Sequence, residues 1–366
     1  MLKPYRVLDL TNGRGELAGF MLAQLGAEVI SIEPVGGSSS RKIAPFRGGE
    51  SSGDSLYFSA FGRGQASVEL DLAGSENDRA QLKELAKGAD VIIESSDVGE
   101  MAAMGLGYDD LAAVNPALVY ASISPFGQTG PKATWAATDL TIWAAAGPSR
   151  ITGDSDRAPL RMQCDQSFAH AAAEAAGCVI AALYERAGSG HGQHVDISAQ
   201  QASTQATQSM ILAHPNGDTM LKREAGGIKF GDVFLQLLWP CANGHVSITF
   251  LFGTALGVPT GRLMEVVCEQ GYCDEATRDR DWISYGEELL TGVEPVEEYD
   301  RIKACVGKFC MAHTKAELLE LAMTHNLLIA SVNMMDDVIG LDQFVERDFW
   351  DDVEGDRFPG PMIKAS

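Results

Sequence analysis

Short apolar runs alternate with helix-like segments through the first half of this chain, and that alternation restricts its fold more than any other feature. Residues 7–10 (Val-Leu-Asp-Leu) read as a strand, residues 16–26 as a helix, and residues 28–33 (Glu-Val-Ile-Ser-Ile-Glu) as a second strand. A helix near 77–87, a strand at 90–94, a short helix near 109–113 and a strand at 118–124 continue the pattern. Apolar strands separated by helices predict an α/β fold with a doubly wound, mostly parallel sheet covered by helices. Residues 166–186 predict one long helix. Phe168, Ala172, Ala176, Val179, Ile180 and Leu183 place apolar groups along it, and its many alanines predict close, mostly buried packing.

The character changes around His214-Pro215-Asn216-Gly217. A hairpin is expected from Phe234–Trp239, a turn at Asn243-Gly244, and His245–Phe250. Acid-rich helices follow to about residue 312, and Thr314-Lys315-Ala316-Glu317 forms a capping box that opens another. Leu327–Val332 is expected to return to the first sheet. These readings divide the chain into a large domain at 1–215, a smaller α+β domain at 216–325, and a return to the large domain at 326–366.

Charge narrows the range of functions. The 366 residues carry 28 Lys+Arg against 50 Asp+Glu, a formal charge of −22. Nucleic acid and anionic membrane surfaces need clustered basic groups, so neither is an expected partner. An anionic small ligand needs a local exception to that field. The N-terminus runs straight into a strand-like segment, and the apolar runs fall short of the ~20 residues of a membrane span, so a cytoplasmic protein is expected. The seven cysteines (164, 178, 241, 268, 273, 305 and 310) show no metal spacing and read as small buried hydrophobes; Cys268 and Cys273 are expected to point to different faces. His191 and His194, flanking Gly192-Gln193, read as exposed turn residues. No metal is expected.

Gly13-Arg14-Gly15-Glu16-Leu17-Ala18 fits G-x-G-x-x-A after a strand, with Glu33 at the end of the next strand. An NAD-dependent oxidoreductase is therefore one alternative. Glu16 opposes it, because a carboxylate in the first helical turn competes with a bound phosphate. Glycines serving only a tight turn in a doubly wound fold are the preferred reading.

Three further segments carry a resemblance. Ser122-Ile-Ser-Pro-Phe-Gly-Gln-Thr-Gly-Pro131 with Asp139 and Gly147, and Leu183-Tyr-Glu-Arg-Ala-Gly-Ser-Gly-His-Gly-Gln193 leading into Val195-Asp-Ile-Ser198, resemble the class III CoA-transferases of the formyl-CoA and carnitine-CoA type. Leu22 to Ile30 with Glu33-Pro34 is similar to that family's opening, and Asp342-Gln343, Arg347 and Gly360-Pro361 to its end. The resemblance implies a Rossmann-like large domain, a small domain, and two chains threaded through one another as an interlocked dimer. It also implies a CoA thioester as substrate, with no covalently bound cofactor. In that family an aspartate attacks an acyl-CoA thioester to give a mixed anhydride and releases CoA. The CoA thiolate then displaces the acid to form an aspartyl-CoA thioester, from which the acceptor acid takes CoA.

The family's register places that aspartate 25 residues before Gln193 and nine after Pro159, and both counts reach Phe168. Asp165, three residues earlier, is the alternative nucleophile; its other expected role is an N-cap whose side chain accepts from the first turn of the helix. Further departures follow. Gln65 stands where the family has a base, Ser95-Ser-Asp-Val-Gly99 replaces Asn-Phe-Arg-Pro-Gly, and Ala103 replaces an arginine. Arg41 matches a basic CoA-binding position, with Lys42 beside it. The racemase branch uses a histidine beside the aspartate matched by Asp139, where this chain has Thr138. Some members work as two different subunits, as in the benzylsuccinate CoA-transferase type. The expectation is a heteromer in which this chain partners an aspartate-bearing paralogue and moves CoA between an acyl-CoA such as succinyl-CoA and an organic acid.

Overall fold

The computed structural model describes all residues except 50–52, 214–222, 232 and 365–366, and it divides the chain into two compact units. The expected change of character at His214–Gly217 lies outside the described residues. The first unit holds residues 1–151, 160–221 and 344–366; the second holds 152–159 and 222–343.

In the first unit, six strands form one wholly parallel sheet: β1 (Arg6–Leu10), β2 (Glu28–Glu33), β3 (Ala66–Glu69), β4 (Val91–Glu94), β5 (Val119–Ser124) and β6 (His194–Ser198). Their spatial order is β3-β2-β1-β4-β5-β6, so the winding reverses between β1 and β4. The helices are α1 (Glu16–Gln24), α2 (Leu56–Phe61), α3 (Glu76–Lys87), α4 (Glu100–Ala103), α5 (Tyr108–Ala112), α6 (Asp139–Ala146), α7 (Pro148–Ile151), α8 (Ser167–Ser189), α9 (Ala199–Gln205) and α10 (Gln208–Ala213).

Strand alternation feeds two cores, one on each face of the sheet. Val7, Val91, Ile93, Val119 and Ala121 pack on α1 and α8, while Leu8, Ile92 and Tyr120 pack on α3, α4 and α5. Each such buried Val, Leu or Ile contributes about 1.5–3 kcal/mol of transfer free energy. α8 is long and apolar enough to cross a membrane by length and composition. In this protein it packs through Ala171, Ala172, Ala175, Ala176 and Val179 into the first of those cores. It ends on Gly190, whose left-handed φ of 76° lets its N–H reach the carbonyl of Arg186. At Gly192, a Cβ would stand 1.9 Å from the carbonyl oxygen of Leu118, so only glycine admits β5 and the β6 lead-in this close.

The second unit has its own core around Trp239, Phe250, Met264, Tyr299 and Phe309. Its strands are β7 (Gly227–Phe230), β8 (Val233–Gln236), β9 (Leu238–Cys241), β10 (Gly244–Ile248) and β11 (Ile329–Val332). Its helices are α11 (Gly257–Glu269), α12 (Glu275–Arg278), α13 (Tyr285–Thr291), α14 (Val296–Met311), α15 (Lys315–His325) and α16 (Met335–Ile339), with Thr314 and Glu317 forming the expected capping box.

Four expectations change here. The first arm of the hairpin is split: β9 pairs with β10, but β8 pairs with β7. Leu327–Val332 does not return to the large sheet; β11 runs antiparallel to β10. The cysteines are not uniformly buried. Cys241 and Cys310 are, Cys164 is exposed, and the other four are half-buried. Cys268 and Cys273 do not diverge, because α11 ends at Glu269 and the turn brings Cys273 beside Cys268 and Cys305. A final hairpin of the first unit, β12 (Trp350–Val353) with β13 (Asp356–Pro359), is held by Arg47 to Asp356 and by Arg63 to Asp351.

Candidate functional site

In a doubly wound sheet, ligands gather at the carboxyl ends of the strands where the winding reverses. Here a cavity of about 510 Å³ opens at the ends of β1, β2 and β4. Its polar wall includes Asn12, Arg14, Glu33, Asp71, Asp97 and Glu100, and among the described residues Arg14 is the one basic residue in the lining.

The loop from β1 into α1 turns on Gly13 and Gly15, both left-handed with φ of 73° and 89°. That geometry presents backbone N–H groups at a helix start. Glu16 takes this position for the chain itself: its Oε1 accepts from the N–H of Gly13, and Oε2 accepts from the Tyr57 hydroxyl at 3.4 Å. Burial raises the Glu16 pKa, and the hydrogen bond from Gly13 lowers it only in part. Glu33 is also engaged. Arg41 donates to it through Nε at 2.6 Å and Nη2 at 2.7 Å, Ser67 through its hydroxyl at 2.6 Å, and Ser38 through its backbone N–H at 2.7 Å. The Arg41 hydrogen bond, foremost, lowers the Glu33 pKa to about 2. Both acidic positions that a dinucleotide would face are thus occupied from within.

Arg41 therefore meets solvent as half of an ion pair, with its guanidinium 3.8 Å from the centre of the Phe58 ring. Lys42 is exposed at the end of the short turn Ser39–Lys42 and makes no ion pair among the described residues. Gln65 donates to the carbonyl of Phe61 at 3.0 Å, and Ala103 is exposed on α4.

Phe168 lies in the first turn of α8, half-buried against the apolar core. The Arg14 guanidinium stands over its ring at 5.3 Å and within 3.7 Å of Asp97. Asp165 does not cap α8. It is exposed and paired with Arg161 at 3.3 Å, while Gln166 occupies the N-cap without a side-chain hydrogen bond. The cap comes from 28 residues away: Oδ1 of Asp139, the first residue of α6, accepts from the Ser167 N–H at 2.6 Å. The Ser167 hydroxyl donates back to the Asp139 carbonyl at 3.2 Å. Sequence spacing reveals neither the Arg14–Phe168 contact nor this remote cap, since each joins segments far apart in the chain. His191 and His194 are both exposed as expected, but His194 opens β6 rather than sitting in a turn, and it stacks on Tyr108. Among the described residues no cluster of His, Cys, Asp or Glu has the arrangement of a metal site.

The model of CoA-transferase family III matches residues 2–365. The subunit BbsE of succinyl-CoA:(R)-benzylsuccinate CoA-transferase from Thauera aromatica is 31% identical over 94% of this chain and 82% of its own length. The acetyl-CoA:oxalate CoA-transferase of Acetobacter aceti is 40% identical over 52% of this chain, and the match spans 49% of that relative. Among solved structures, a CAIB/BAIF family protein from Brucella suis superposes with a TM-score of 0.83 at 24% identity, covering 100% of this chain and 92% of that one. At that identity the likeness speaks for the fold.

Proposed function

Because the chain belongs to CoA-transferase family III, we propose that it is the non-catalytic subunit of a heteromeric transferase, partnered with an aspartate-bearing paralogue in an interlocked, cytoplasmic assembly. The complex moves CoA from an acyl-CoA such as succinyl-CoA to an organic acid. The observation that carries this reading is Phe168: an aromatic ring in the first turn of α8, beneath Arg14, at the position where the family register puts the nucleophile. A phenyl ring has no electron pair to attack a thioester. The name of the BbsE relative, itself a subunit, is in keeping with a heteromer. Arg41 and Lys42 are the groups of this chain assigned to CoA phosphates, and the Glu33–Arg41 pair weakens that contact because its positive charge is already matched.

The purified chain alone is expected to transfer no CoA from succinyl-CoA to any acid, and mixing with the aspartate-bearing paralogue is expected to restore turnover. Transfer by the chain alone at ordinary enzymatic rates overturns the proposal. The same preparation separates the Asp165 reading: hydroxylamine added after acyl-CoA is expected to leave Asp165 unmodified. Phe168→Asp is expected to become modified at the new carboxylate, since the helix start and Arg14 surround it.

A further inference from the structure

A second cavity, of about 340 Å³, lies at the carboxyl end of β4, beside Tyr120 and Ser122 of β5 and the start of β6, in the first unit. Asp97 and Met101, flanking the start of α4, line this cavity and the first one alike. Its most buried carboxylate is Glu94, only 4% exposed. That carboxylate accepts from the Ser96 N–H at 2.7 Å and from the Ser122 hydroxyl, yet no cation faces it among the described residues. Burial without a counter-charge raises its pKa. Ser122 also bonds to Nε2 of His194 at 2.9 Å, and the imidazole stacks on Tyr108 with ring centres 5.3 Å apart and 16° between planes. Tyr120 meets the same imidazole edge-on at 5.6 Å. Desolvation lowers the His194 pKa, against the raising pull of Asp196 and Asp109. Asp109 and Asp110 stand at the rim, and among the described residues no lysine or arginine belongs to the lining.

We propose that this cavity binds a primary ammonium group carried on a small apolar or aromatic body. The ammonium supplies the counter-charge that Glu94 lacks and donates to the Glu94 carboxylate and the Ser122 oxygen. The body rests on Tyr108, where a cation near an aromatic face gains further attraction. A carboxylate ligand is excluded by the same field, since each lining acid repels it. The ligand contacts assigned here, Glu94, Ser122 and Tyr108, are none of the residues on which the transferase reading rests.

The test is calorimetry on the whole chain with benzylamine, its neutral isostere benzyl alcohol, and two variants. Saturable binding of benzylamine is expected, with benzyl alcohol at least about tenfold weaker, a difference of ~1.4 kcal/mol. Glu94→Gln keeps the shape of the side chain and one acceptor oxygen and is expected to weaken benzylamine by about tenfold. If that variant does not fold, Asp109→Asn replaces it: the carboxylate is exposed beside the imidazole, and a loss of about threefold is expected. No saturable heat with benzylamine, equal binding of the alcohol, or unchanged affinity in a folded variant each overturns the proposal.

Discussion

Asp9 shows how much one buried carboxyl can set. It sits near the end of β1, accepting from the N–H of Thr11 at 2.9 Å and its hydroxyl at 2.7 Å. Burial raises its pKa from 3.8 to about 7, against the lowering effect of those two bonds, and Glu16 adds a further upward push. The folded state therefore keeps a proton that the unfolded chain has already lost between pH 3.8 and about 7. Stability from this group falls as pH rises through that window, by at most about 4 kcal/mol. Asp9→Asn cannot ionise and keeps the acceptor oxygen. Its denaturation free energy, measured by urea titration from pH 4 to 8, is expected to gain steadily on the native chain. Parallel curves across that range would show that Asp9 is ionised throughout. Glu33 behaves oppositely: its Arg41 pair is fully present above pH 4.5 and is lost as pH falls toward 2.

At the scale of elements, α8 depends on a neighbour for its start. Asp139 satisfies the Ser167 N–H, one of the four that a helix leaves open. Asp139→Ala is expected to cost about 1–2 kcal/mol in equilibrium unfolding, and Asp139→Asn much less. A change within ±0.3 kcal/mol for the alanine variant would mean that Gln166 takes over the cap. The elements themselves were largely legible in the sequence, because apolar strands and helical spacing are local signals. β1, β2, β4, β5 and α8 fall close to where the pattern puts them. Pairing was not legible at β8 and β11. Alternation tells a strand which face is apolar, but does not name its neighbour, so β8 joined β7 and β11 joined β10. The site was half legible for the same reason. The G-x-G turn and Glu33 announce themselves by spacing. The Glu33–Arg41 engagement, the Arg14–Phe168 contact and the Glu94–Ser122–His194 wall depend on side chains meeting across the fold.

At the scale of the whole molecule, the charge of −22 acts on every compact state. Nineteen ion pairs among the described residues use many of the cations, including most of the arginines. The excess acids repel one another at low ionic strength. Raising sodium chloride from about 20 mM to about 500 mM shortens the Debye length from roughly 20 Å to 4 Å. The melting temperature is expected to rise by a few degrees over that range in scanning calorimetry. A fall would mean that the ion pairs, screened by the same salt, outweigh the repulsion.

The loop around Gly13 carries one last consequence. Its backbone amide is already met by Glu16, a group the chain brings with it. A loop whose shape is completed by an incoming molecule stays unsettled until that molecule arrives. This one is finished as soon as α1 closes, so its order does not depend on how much nucleotide the surroundings contain.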